Sequence, residues 1–442
     1  MEPKQFVDKL YESCEKAGIA EFQISYSLSG SEKISWFEGK VHQTGSSEVQ
    51  KLVLKVKQGR NIGAFSCEEL EEKNIDRIIS EAVENARIAT AEEENFFHDG
   101  SGVYKEAVPY APLANELKKL DKKAYLKAVE EKAYALDRRV KKVITLSLTE
   151  QRKKFIMKNS LGVDLADEYH SAVAYLFVSA EENGVVKTGG YAVAFDKKDD
   201  FEPEYPARKA VDKAVQKLNA EDIVSCKTAV VFENSTFADL LEVFSVLFSA
   251  NAVQEKLSQM GGKNGEKVAS DIVTLIDDPF WKHGFETRRF DGEGYPSQTT
   301  PVVEKGILKT CLYNLRTAKK DGVKSTGNGS GGRGISFSNF YLKPGDMSKK
   351  EVLQKLGRGI YITGLSGLHA GFNSVSGDFS FGAEGFRVEN GQIGVALNQF
   401  TISGNAYRLL KDIAAVGKDL IFDISNFGSP SVLVENLTIS NV

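Results

Sequence analysis

The residues whose types could do chemistry fall into a few short stretches of the 442-residue chain. Two carboxylate pairs lie beside turn residues: Asp277-Asp278 before Pro279, and Asp291 and Glu293 around Gly292. Paired carboxylates can serve acid–base or glycosidase chemistry. Asp-Gly is equally ordinary turn chemistry, and both readings stay open. Five histidines, His42, His98, His170, His283 and His369, are scattered along the chain. No two have the HExxH spacing that turns two imidazoles toward one zinc ion. His369 lies in Gly367-Leu368-His369-Ala370-Gly371, a glycine-rich loop of the kind where function gathers. A hydrolase built on Asp291, Glu293 and His369 is one reading of these residues. Gly327-Asn328-Gly329-Ser330-Gly331-Gly332 matches G-x-G-x-x-G. A strand-like segment follows it, however, where a dinucleotide site needs a helix N-terminus, and no Gly-Lys-Ser/Thr completes a P-loop. The run reads as a flexible loop, or as a wall that lets an extended peptide backbone come close. Cys14, Cys67, Cys226 and Cys311 form no CxxC, so neither a zinc ribbon nor a disulfide framework is indicated.

The elements that must position these groups centre on residues 235–265. Phe237, Leu240, Leu241, Phe244, Leu247 and Phe248 recur at helical spacing after an Asn234-Ser235 pair suited to capping. One face of this helix is therefore expected in the core, and that face carries no histidine or cysteine. Before it, helices are expected near residues 3–17, 75–89, 125–138 and 205–218, among alternating antiparallel strands. Residues 91–118, with Pro109 and Pro112, read as a loop or interdomain crossing. After it come many short strands with glycine turns, including a turn at Glu304-Lys305-Gly306, a strand over 268–276 and a helix over 406–415. The expected class is α+β. N-terminal antiparallel α/β domains (residues 1–110, then a middle segment, 111–222, packing with the first) precede a mainly antiparallel β domain (223–442). That last domain is read as a curled or barrel-like sheet around a long buried helix.

The composition, 41% hydrophobic and 27% charged, is ordinary for a globular protein. A net charge of −4 with no basic patch argues against nucleic-acid binding. No stretch approaches the ~18 apolar residues of a membrane span. The charged amphipathic N-terminus lacks a signal-peptide core, so a cytoplasmic setting is expected.

Taken together, several motifs resemble the TldD/PmbA family: Arg289-Phe290-Asp291-Gly292-Glu293-Gly294, Ser325-Thr326-Gly327-Asn328-Gly329, Ser338-Asn339-Phe340-Tyr341, Lys343-Pro344-Gly345-Asp346 and Ser376-Gly377-Asp378-Phe379. The likeness covers nearly the whole chain. TldD-type members of that family resemble zinc metallopeptidases, with HExxxH on a helix before a G-E-[RK]-V-A-S segment and a later cysteine ligand. The segment is present here as Gly265-Glu266-Lys267-Val268-Ala269-Ser270. The ligand positions then correspond to Leu241 and Val246, with Glu242 left in the general-base position. No cysteine occurs in Ser425-Asn426-Phe427-Gly428-Ser429-Pro430. This pattern resembles the PmbA (TldE) branch, a pseudoenzyme partner without metal ligands. The resemblance implies no cofactor in this chain and zinc only in a TldD-type subunit, with which it forms a heterodimer for proteolysis of unfolded peptides, including peptide-toxin precursors. Gly327, Asn328, Gly329, Asn339, His369 and the Asp291/Glu293 loop become candidates for lining a peptide groove. The alternative is a stand-alone homodimeric peptide-binding or regulatory protein; a link to DNA gyrase finds no physical support in the sequence.

Overall fold

The computed structural model describes residues 1–90, 96–108, 113–282 and 284–441. Pro109, Pro112 and His283 lie outside them. The first half is built on one six-stranded antiparallel sheet: β1 (Glu21–Phe37), β2 (Lys40–Gln58), β3 (Asn61–Cys67), β4 (Val140–Asn159), β5 (Asp164–Glu182) and β6 (Val185–Val193), in the order β3-β2-β1-β4-β5-β6. The sheet runs from the first expected domain into the middle segment without a break, because β1 pairs with β4 from Gln23 to Trp36. Ser29-Gly30-Ser31, a run whose residue types suit a turn, instead continues β1. Gly30 pairs with Glu48 on one side and Arg152 on the other, so its backbone is already held in the ladder. The real turn is Glu38-Gly39, where both residues take positive φ, as a tight hairpin needs.

Alternation sets the faces of this sheet. Phe22, Ile24 and Tyr26 of β1 and Leu52, Leu54 and Val56 of β2 are buried under the Pro3–Lys16 and Ile75–Ile88 helices. Farther along the sheet, Leu146, Leu148, Leu176 and Val178 pack beneath the Lys122–Leu136 and Glu204–Val215 helices. Trp36 and Glu130 join sheet to helix through a buried Nε1–H···Oε2 bond of 2.8 Å. The stretch read as a crossing is a loop over residues 96–108, then a short helix, Ala114–Lys119.

The second half contains β7 (Cys226–Phe232), β8 (Leu275–Asp277), β9 (Thr300–Glu304), β10 (Ile307–Leu308), β11 (Phe340–Leu342), β12 (Gly359–Ser366), β13 (Asp378–Glu389), β14 (Gln392–Asn405), β15 (Ile413–Val416), β16 (Ile421–Phe422), β17 (Phe427–Ser429) and β18 (Val432–Asn441). The order β14-β13-β12-β7-β18 closes on itself through β14–β18 pairing, making the expected barrel. It is not wholly antiparallel, since β7 and β12 run parallel. A second sheet, β10-β9-β8-β11-β17-β16, lies beside it. The expected strand over 268–276 is shorter, Leu275–Asp277. Upstream, the N–H groups of Val268 and Ser270 bond singly to Gly306 and Leu410 rather than to one ladder. The expected helix over 406–415 is one turn, Ala406–Leu409, capped by Asn405; Ile413–Val416 then joins β18.

The helix Asn234–Ser245 packs in the largest core. Phe237, Leu240, Leu241 and Phe244 are at most 1% exposed, and the Phe244 ring meets Phe372 and Phe379 at 5.1 and 5.5 Å. Asn234 is the first residue of the helix rather than its cap. Its Nδ2–H donates to the Asp419 carbonyl and its Oδ1 accepts from the Ser235 N–H. The α-helix stops at Ser245, and a 3-10 turn, Val246–Phe248, follows.

Candidate functional site

Two of the sequence-marked segments meet. The turn around Gly292 lies against the glycine loop, and each glycine at the contact is there for space. A Cβ on Gly329 would stand 2.4 Å from the Glu293 carboxylate, and one on Gly292 would stand 2.5 Å from the Ser330 backbone. Gly327 holds φ +74°, open to glycine and strained for other residues. Asp291 accepts from three backbone N–H groups, those of Gly329 (2.7 Å), Glu293 (2.9 Å) and Tyr295 (3.0 Å). Glu293 Oε2 accepts from the Leu315 N–H at 2.8 Å. Burial dominates both carboxyls, raising Asp291 to about 6. Burial, then the neighbouring Asp291, raises Glu293 to about 7, opposed by Lys55 and Arg316. A third carboxyl, Asp277, is raised by complete burial, although Arg288, Asn328 and Ser338 favour its charge. Asn328 donates to it at 2.8 Å, and Ser338 donates to it through both N–H and Oγ–H at 2.8 Å.

The cluster is anchored to the N-terminal sheet. Phe290 packs on Met157, Val163 and Leu165. Arg289 Nη2 lies 2.8 Å from Asp167, the Tyr104 hydroxyl donates to the Gly294 carbonyl at 2.8 Å, and Lys55 Nζ donates to the Gly331 carbonyl at 2.8 Å. Asn328 and Asn339 are fully buried, and Asn339 ties Glu286 N–H to the Asp278 carbonyl. His369 is elsewhere, in an exposed turn between β12 and β13, with no hydrogen bond to Asp291 or Glu293. The hydrolase reading therefore has no assembled constellation.

On the central helix, Leu241 is in the core, Glu242 is exposed and Val246 is half-buried in the 3-10 turn. Beside them stands a group that sequence reading missed. Asp239 is exposed on the outer face of the helix, yet packing around its carboxyl, then Glu242 and Asp423, pushes it up to about 6 against the pull of Lys213. Asp423 precedes the 425–430 segment and is raised mainly by burial. Lys213 and Asp423 are remote in sequence from Asp239, and only the fold joins them. No group of three or more His, Cys, Asp or Glu among the described residues is placed to hold a metal ion. No helix among them is long and apolar enough to cross a membrane.

Residues 225–441 match the PmbA/TldA metallopeptidase C-terminal domain and residues 113–218 its central domain. The fold is similar to that of a Thermotoga maritima protein described as a suggested modulator of a DNA gyrase, with a TM-score of 0.91 and 34% identity over 99% of this chain and 100% of that one. It is also similar to TldE from Thermococcus kodakarensis, with a TM-score of 0.86 and 24% identity over 98% and 100% of the two chains. In sequence it resembles a metalloprotease of Methanocaldococcus jannaschii, 27% identical over 96% of this chain and 94% of that one. Metalloprotease PmbA of Escherichia coli is 28% identical over 60% of this chain and 57% of that one. The chain belongs to the PmbA/TldD metallopeptidase family.

Proposed function

We propose that this chain is the PmbA/TldE-type subunit of a two-chain cytoplasmic metallopeptidase. In this reading it shapes the chamber in which a TldD-type partner, carrying the zinc, cleaves unfolded or flexible peptides such as peptide-toxin precursors. The observation that carries the reading is the helix Asn234–Ser245. Leu241 stands among core phenylalanines where the family resemblance puts a metal ligand. Leu241 and Val246 have no lone pair to offer a metal. Glu242 alone has no activated water to work on, because lowering the pKa of water and polarising a carbonyl are the metal's tasks. The relatives named PmbA and the fold likeness to TldE support the same partnership. Asn328 and Asn339, both buried, then hold the chamber walls, while the exposed part of the glycine loop faces the peptide. Co-expression with a TldD-type chain carrying HExxxH tests the proposal. The expected result is co-purification and faster cleavage of an unfolded peptide than by that chain alone. Cleavage indifferent to this chain would contradict it.

A further inference from the structure

Gln23 of β1 and Lys55 of β2 are direct cross-strand partners, so their side chains share one face of the sheet. That face looks away from the helices and onto the C-terminal half. Between them and the glycine loop lies a cavity of about 300 Å³, also lined by Phe96, Phe97, Glu293, Arg316 and Arg333. Gln23 is 4% exposed, and its Oε1 finds no hydrogen-bond donor among the described residues. A buried acceptor without a donor is costly, and native proteins rarely leave one unless something else supplies the hydrogen. Lys55 has three N–H groups and gives one to the Gly331 carbonyl. The cleft thus holds three cations, one carboxylate, an unanswered acceptor and two aromatic rings.

We propose that this cleft binds a small carboxylate that also carries an N–H donor and an apolar body: a free α-amino acid, or the C-terminal residue of a peptide. The ligand carboxylate meets Lys55 and Arg333, its N–H groups meet Gln23 Oε1 and Glu293, and its apolar body lies on Phe96 and Phe97. A cavity of this size suits one residue rather than a folded partner. Nothing in this site requires a second chain, so it stands or falls separately from the partnership proposed above.

The test is calorimetric titration of the purified chain with four probes: phenylalanine, phenylalanine amide, an N-acetylated tripeptide ending in phenylalanine with a free carboxylate, and the same tripeptide C-amidated. Saturable binding of a free-carboxylate probe is expected, with the matching amide at least about tenfold weaker. Binding of phenylalanine alone assigns the free amino acid, and binding of the tripeptide alone assigns a chain terminus. Gln23→Leu and Arg333→Ala should each weaken binding about tenfold. Arg333 lies on an exposed loop, so its variant keeps the fold. Silence from both carboxylate probes, equal binding of the amides, or an unchanged affinity in Arg333→Ala would overturn the proposal.

Discussion

Glu293 sits where three demands conflict: it is half-buried with its carboxyl desolvated, it neighbours Asp291, and it must accept the Leu315 N–H. Its carboxyl rises to about 7 and that of Asp291 to about 6, above the ordinary 4.5 and 3.8. The folded chain therefore keeps protons that the unfolded chain has already released. Stability linked to this pair is full below the ordinary values and is lost as pH rises toward 7. Urea unfolding at pH 5 and pH 7.5 should show the wild type weaker at the higher pH by on the order of 1–3 kcal/mol. Glu293→Gln keeps an acceptor for Leu315 N–H and should flatten much of that slope. An equal slope in the variant would show that the titrating groups lie elsewhere. Asp291 and Glu293 were visible in the sequence as a turn-like pair. Their burial was not, because it depends on Gly329 and Phe290 docking them against a sheet that begins over 250 residues earlier.

At the scale of elements, two edge strands hold their helices in the same way. A Cβ on Gly63 of β3 would stand 1.9 Å from the Ala86 backbone, and one on Gly189 of β6 would stand 2.2 Å from the Ala210 carbonyl. The helix axes can approach the sheet this closely only because these positions lack a side chain. Gly63→Ala and Gly189→Ala should each destabilise by about 2 kcal/mol or more, read as a lower thermal midpoint, since backbone cannot yield as a side-chain tip does. The helical periods of 3–17, 75–89 and 235–248 were legible, as was the barrel in the short, glycine-punctuated strands of the second half. The parallel β7–β12 pair was not, because nothing local distinguishes a parallel partner from an antiparallel one. Equally, the end of the central helix at Ser245 was hidden. The apolar spacing runs on through Leu247 and Phe248, which stay buried in a 3-10 turn. Leu241→Ala should cost roughly 2–5 kcal/mol of stability by leaving a core cavity. A neutral result would mean that this side chain does not fill the core as described.

For the molecule as a whole, the sheet of the first half and the barrel of the second are locked by the 288–295 segment, which carries Arg289 to Asp167, Phe290 to Met157 and Gly294 to Tyr104. That docking brings Gln23, Lys55, Glu293 and the glycine loop around one cleft, while Asp423 comes close to Asp239 on the central helix. Family membership was legible from ordered motifs spread over the chain. The two charged clusters were not, because each joins residues from separate elements. The central claim is that this chain lends shape and partnership to a peptidase and leaves the metal to another subunit. The most direct measurement is zinc content and unfolded-peptide hydrolysis of the purified chain, alone and after mixing with a TldD-type chain. Alone, it should carry no stoichiometric zinc and show no chelator-sensitive cleavage, and activity should appear with the partner. Stoichiometric zinc, or chelator-sensitive hydrolysis by this chain on its own, would contradict that claim.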